Sequence, residues 1–156
     1  MASAVVQAVP PMVPRVVVLF DGVCNLCNGS VNFLIDRDPH GALCFASLQS
    51  EEGGALLDSL GYRRSRGDPG TIVLVENGRV YERSTAVLRA LRHLNGGWRL
   101  LALFLVVPRA FRDLIYRAVA TRRYQWFGKA EVCRVPTPEL RARFLAAARP
   151  AQRTLP

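Results

Sequence analysis

Five apolar residues, Val16-Val17-Val18-Leu19-Phe20, stop at Asp21-Gly22, and within three residues a helical spacing begins that carries two cysteines. An apolar run of this length, rich in β-branched residues and closed by a turn signal, reads as a buried strand. Gly22 supplies the sharp turn. From about Asn25 the apolar residues Leu26, Val31, Leu34 and Ile35 fall on one helical face. This strand-turn-helix start sets Cys24 and Cys27 in the first turn of the helix.

That position has a chemical meaning. Unpaired N–H groups at a helix amino end present partial positive charge, which favours a thiolate over a thiol. The thiolate is the species that attacks a disulfide. Residues one helical turn apart lie roughly 5 Å from each other, inside the Cα separation a disulfide tolerates. Cys24, nearer the helix start, is expected to be the exposed attacking thiolate, and Cys27 the resolving thiol.

Downstream signals give an order of elements. The first helix is expected over 25–37, ended by Asp38-Pro39-His40-Gly41, and a short second strand over 43–46. Ser50 reads as the N-cap of a second helix, with Glu51 and Glu52 in its first turn and Gly61 closing it. A polar loop over 62–70 leads to Thr71-Ile72-Val73-Leu74-Val75-Glu76, then Asn77-Gly78, then Arg79-Val80-Tyr81-Glu82, a strong hairpin signal. Ser84 is expected to cap a third helix running to Leu94, which Asn95-Gly96-Gly97 ends. The resulting β-α-β-α-β-β-α order resembles the thioredoxin-like fold. The expected class is therefore α/β, a mixed β-sheet flanked by helices, with a C-terminal helical extension. Helices are expected over 98–107 and 108–124, and a last one from Thr137-Pro138 to about 148. The expected division is a flexible leader over 1–15, a thioredoxin-like core over 16–97 and a helical extension over 98–150 packed on that core, forming one domain.

At 156 residues and 50% apolar composition, the chain suits one globular domain. Four cysteines are too sparse for a secreted disulfide framework, so a reducing compartment, cytoplasmic or organellar, is expected. The first fifteen residues lack the pattern of a signal peptide, and the longest apolar stretch, 100–107, is far short of a bilayer span. The net charge of +9 divides unevenly: residues 1–78 hold 5 Arg and 8 acids, for −3, and residues 79–156 hold 15 Arg, 1 Lys and 4 acids, for +12. A solvated Arg-rich helical face is the plain reading of that half. An anionic surface or a protein partner is the other, and nucleic acid is disfavoured.

Zinc is the first rival for the cysteines. A zinc ribbon would want a further cysteine at 47, where Ser47 stands, and neither His40 nor Cys133 completes a set by spacing. An aspartate-nucleophile phosphatase would need Asp-x-Asp, but Val23 and Leu19 occupy the flanking positions. Cys44 and Cys133 read as structural, His40 as a loop residue and His93 as a helix-surface residue. Trp98, Phe104, Tyr116, Tyr124, Trp126 and Phe127 have spacings typical of core packing. For Asp21 two roles stand level: a proton acceptor or turn partner for the thiols, or a plain turn residue.

The stretch Asp21-Gly22-Val23-Cys24-Asn25-Leu26-Cys27 resembles the signature of the DCC family of predicted thiol-disulfide oxidoreductases. Phe45-Ala46-Ser47-Leu48-Gln49-Ser50, Glu76-Asn77-Gly78-Arg79-Val80-Tyr81, Ser84-Thr85-Ala86, Pro108, Tyr116, Ala120 and Arg123-Tyr124-Gln125-Trp126-Phe127-Gly128 extend the likeness over about 16–133. The resemblance implies a thioredoxin-like fold and protein-disulfide reductase activity, with Cys24 and Cys27 as redox thiols and Asp21 as the signature acid. No cofactor and no metal are expected. The partners expected are a protein or small-molecule disulfide substrate and a thiol reductant. One departure stands out: thioredoxins place a proline immediately before the strand facing the thiols, whereas Asp68-Pro69-Gly70-Thr71 inserts a glycine. The alternative to an enzyme is an interaction module with a basic C-terminal half and structural or redox-sensing cysteines.

Overall fold

In the computed structural model, residues 16–63, 71–129 and 143–144 are described. Four strands form one sheet in the order β2-β1-β3-β4. They are β1 Val16–Phe20, β2 Cys44–Ser47, β3 Val73–Glu76 and β4 Arg79–Glu82. β1 pairs parallel with β2 and antiparallel with β3, and β3 pairs antiparallel with β4. Helices α1 Asn25–Asp36, α2 Glu51–Ser59, α3 Arg83–Leu91 and α4 Arg109–Phe127 surround it. This is the thioredoxin-like α/β arrangement.

Burial on both sides of the sheet explains the unbroken apolar run of β1. Val16, Val18 and Phe20 face one side and pack with Val31 and Leu34 of α1 and with Ala86, Ala90 and Leu91 of α3. Val17 and Leu19 face the other side, with Val73, Val75 and Leu57 of α2. All five β1 residues are buried. The β3–β4 turn has φ of 51° at Asn77 and 77° at Gly78, the paired left-handed conformation that an Asn-Gly hairpin adopts.

At the start of α2, Ser50 Oγ accepts from the Gly53 N–H at 3.1 Å, and Glu51 and Glu52 occupy the first turn. Gly53 lets this helix end seat on the end of β2. A Cβ there would stand 2.3 Å from the Ser47 carbonyl oxygen. Ala usually improves a helix over Gly, but here overpacking against fixed backbone wins. Gly53→Ala is expected to lower unfolding free energy by about 1–3 kcal/mol, read from the denaturant midpoint. A variant as stable as the parent would refute the close approach.

Several boundaries differ from expectation. The second strand is shifted by one residue, to Cys44–Ser47. Glu82, not Ser84, is the N-cap of α3, which ends at Leu91; Ser84 Oγ instead donates to Asp113 Oδ1 at 2.5 Å. Residues 96–106 form successive 3-10 turns rather than an α-helix. The helix expected over 108–124 runs from Arg109 to Phe127. Arg143 and Phe144, inside the last expected helix, are a turn and a bridge: Phe45 N–H donates to the Arg143 carbonyl at 2.8 Å, on the free edge of β2. That edge offers unpaired backbone groups, and Arg143 adds an ion pair with the buried Asp38. The rest of that helix, the leader, Pro69 and Cys133 lie outside the described residues.

Aromatic spacing also misled. Trp98, Phe104, Trp126 and Phe127 are exposed, while Tyr116 and Tyr124 are half-buried and use their hydroxyls. His93 is half-buried, with Nε2 2.8 Å from Glu76 Oε1, and His40 is exposed. On α4 the buried positions are Asp113, Ala120 and Arg123, which leaves Trp126 and Phe127 outside.

Candidate active site

The site is assembled where β1 ends. Asp21 closes the strand, and its Oδ1 accepts from the Val23 N–H at 3.1 Å, forming a turn that brings the chain to α1. Cys24 is the N-cap of α1 in extended conformation, and its carbonyl accepts from the Asn28 N–H at 2.9 Å. Cys27 is the third residue of α1 and belongs to the core cluster beside Phe20 and Val31. Both cysteines are free thiols. The Asn28 side chain donates to the Gly22 carbonyl at 3.0 Å, which fastens the turn to the helix.

Asp21 is 2% exposed and is held by three different segments. Gln49 Nε2 donates to Oδ1 at 2.7 Å from the loop after β2. Ser47 Oγ donates to Gln49 Oε1 at 2.6 Å, which fixes the orientation of that amide. From α4, Arg123 Nη2 donates to Oδ2 at 2.9 Å, and the Tyr124 hydroxyl donates to the same oxygen. Arg123 is itself 2% exposed, and its Nη1 lies 3.9 Å from Cys27 Sγ. One guanidinium therefore spans the carboxylate and the sulfur.

Burial works to raise the Asp21 pKa, but the Tyr124 hydroxyl, the Val23 N–H, the Gln49 amide and the Arg123 charge outweigh it, and the carboxyl sits below its ordinary value. Asp21 is thus ionised and neutralised by Arg123. The Cys27 thiol is pushed up to about 12, first by burial, then by the negative charge of Cys24 and a hydrogen bond with it. Arg123 pulls in the opposite direction and Asp21 adds to the rise. Cys27 is a protonated thiol at neutral pH.

The structure corrects one expectation: Cys24 is 0% exposed. The end of α4 folds against it. Cys24 forms an antiparallel bridge with Lys129, the Asn25 N–H donates to the Gly128 carbonyl at 3.4 Å, and Asn25 Nδ2 donates to the Phe127 carbonyl at 2.7 Å. Gly128 has φ of 75°, a positive-φ conformation that glycine adopts without strain, where α4 ends and the chain is redirected onto α1.

Sequence reasoning placed Asp21, Cys24 and Cys27 together, and so does the structure. Gln49 and Arg123 had no assigned role and Tyr124 read as a core aromatic, although all three lie in stretches that carry the family resemblance. Nothing in those stretches marks the inward direction of Arg123 or the bond from the Tyr124 hydroxyl to Asp21. Cys44 is half-buried at the start of β2, and burial pushes its thiol pKa up. Among the described residues no group of three or more His, Cys, Asp or Glu side chains is placed to hold a metal ion.

A thioredoxin-like sheet with a Cys-x-x-Cys pair where its first strand meets its first helix defines a class of vicinal-dithiol proteins. Within that class, the family described as DCC1-like thiol-disulfide oxidoreductase matches residues 18–129, and the chain belongs to it. It is 50% identical over 133 residues to the uncharacterized protein YuxK of Bacillus subtilis (strain 168), covering 85% of this chain and 96% of that one. It is also 44% identical over 120 residues to a chloroplastic DCC family protein of Arabidopsis thaliana, covering 76% of this chain and 69% of the relative. No solved structure matches the chain significantly.

Proposed function

We propose that the protein is a protein-disulfide reductase in which Cys24 attacks and Cys27 resolves. The Cys24 thiolate attacks one sulfur of a substrate disulfide, forming a mixed disulfide and expelling the other substrate sulfur as a thiolate. Cys27 then loses its proton and attacks Cys24 Sγ. The second substrate sulfur leaves, the substrate gains two electrons, and the protein holds a Cys24–Cys27 disulfide. A cellular dithiol or a pair of glutathione thiols supplies two electrons to reset it.

The observation that carries this reading is the placement of the pair: Cys24 is the N-cap of α1, and Cys27, one turn on, is buried with Arg123 Nη1 3.9 Å from its sulfur. The guanidinium favours the thiolate of Cys27 against the burial that pushes its thiol up to about 12, so a cation stands beside the resolving sulfur as it loses its proton. Asp21 acts through Arg123, whose position it fixes, rather than as a base on sulfur.

Substrate access requires the Cys24–Lys129 pairing to open. Val23 and Phe127, both exposed and each within two residues of that pairing, offer apolar surface to an incoming chain. A reducing compartment, cytoplasmic or organellar, suits the cycle, and the Arabidopsis relative is described as chloroplastic. Insulin-disulfide reduction tests the proposal: the wild type is expected to reduce insulin and Cys24→Ser to fall to the uncatalysed background, whereas equal rates would contradict it.

A further inference from the structure

We propose that the outward face formed by the 3-10 segment Gly96–Val106 and the first half of α4 docks on an anionic lipid surface. The face is defined by a helix that is inside out. On α4 the buried positions include Asp113 and Arg123, whereas Phe111, Leu114 and Ile115, at helical spacing i, i+3 and i+4, are each about two-thirds exposed. Leu100, Leu103, Phe104 and Val106 are exposed on the neighbouring 3-10 segment, Val106 at 87%. Arg112 Nε donates to the Val107 carbonyl at 2.9 Å, which ties the start of α4 to the end of that segment. Seven large apolar side chains exposed on two successive segments mark a contact with something other than water.

Charge selects the occupant. From Gly96 to Lys129 the chain carries six arginines and one lysine against a single acid, Asp113. That acid is turned inward, bonded to Ser84 and Arg109. Arg99, Arg109, Arg117 and Arg122 are exposed among the apolar side chains, and Arg109 and Arg117 line one surface cleft with Leu114. A second copy of a chain with net charge +9 would bring cation against cation. A bilayer with anionic headgroups accepts both features, apolar side chains into the acyl boundary and arginines at the phosphates. The mode is interfacial, since among the described residues no helix is long and apolar enough to cross a membrane. The same helix holds Arg123 at its other end, so docking brings the dithiol to the membrane surface.

Flotation of the full chain with phosphatidylcholine vesicles, with and without phosphatidylglycerol, tests it. Binding is expected only with phosphatidylglycerol, and weakens as salt rises. Leu114→Ser with Ile115→Ser lowers the bound fraction by about tenfold, and Arg117→Glu lowers it independently. Both changes lie on exposed side chains, so far-UV circular dichroism and the melting temperature stay close to the parent's. Failure of the wild type to float with anionic vesicles would overturn the proposal. So would full binding by both variants, or a dimer at low concentration that the Leu114 and Ile115 changes dissociate.

Discussion

Cys27→Ser is expected to stop the cycle at the mixed disulfide. With the resolving sulfur gone, Cys24 stays bound to its substrate, and a covalent adduct accumulates that is visible on a non-reducing gel and released by excess thiol. Cys24→Ser forms no adduct, and its insulin-disulfide reduction falls to the uncatalysed background. The asymmetry follows from position. Cys24 is the N-cap residue at the amino end of α1, while Cys27 sits in the core with its thiol pushed up to about 12, chiefly by burial. Retention of wild-type turnover by Cys24→Ser would remove Cys24 as the nucleophile. An adduct formed equally by both single variants would remove the division of roles.

Arg123→Met is expected to be among the most damaging single substitutions in the protein. It leaves the Asp21 carboxylate, 2% exposed, without its cation. Removing one partner of a buried, hydrogen-bonded pair costs about 3–5 kcal/mol, and the loss should appear as a lowered denaturant midpoint. Arg123→Lys keeps the charge but loses the fork that reaches Asp21 and Cys27 together, so an intermediate loss is expected. The pair also makes stability depend on pH. The folded pKa of Asp21 lies below its unfolded value, so its contribution is present above about pH 4 and disappears as pH falls through the folded value. Asp21→Asn should flatten that acid limb. An acid limb as steep as the parent's, or an Arg123→Met midpoint unchanged from it, would show that the pair does not hold the site.

The fold was legible wherever local pattern and tertiary role coincide. The β1 run is uniformly apolar because both its faces are covered, and Asn77-Gly78 turns as its residues require. Ser50 caps α2 because Gly53 places an N–H within its reach. Legibility ended at α4. Its apolar residues follow helical spacing, as core residues do, yet they point to solvent because the inward side is committed to Asp113, Tyr116 and Arg123. A hydrophobic pattern reports which face is apolar and not which is inside. The partners of Asp21 were hidden for a different reason. Arg123 is 102 residues away, and only the tertiary return of α4 past α1 brings it to the strand end. Ser84 shows the same effect on a smaller scale, since a tertiary acceptor, Asp113, takes the hydroxyl that local capping would have used.

The central claim is that Cys24 and Cys27 form one exchanging pair. It is tested most directly by equilibrating the protein, in a Cys44→Ser, Cys133→Ser background, with graded ratios of reduced to oxidised glutathione or dithiothreitol. The two thiols are then trapped by alkylation and counted by mass. The account predicts a single two-electron transition in which both thiols disappear together, with a slope of about 30 mV per decade and a midpoint between about −200 and −270 mV, the range of known cellular dithiol reductants. A pair that stays reduced at every poise, or a Cys24 that becomes oxidised without Cys27, would contradict it.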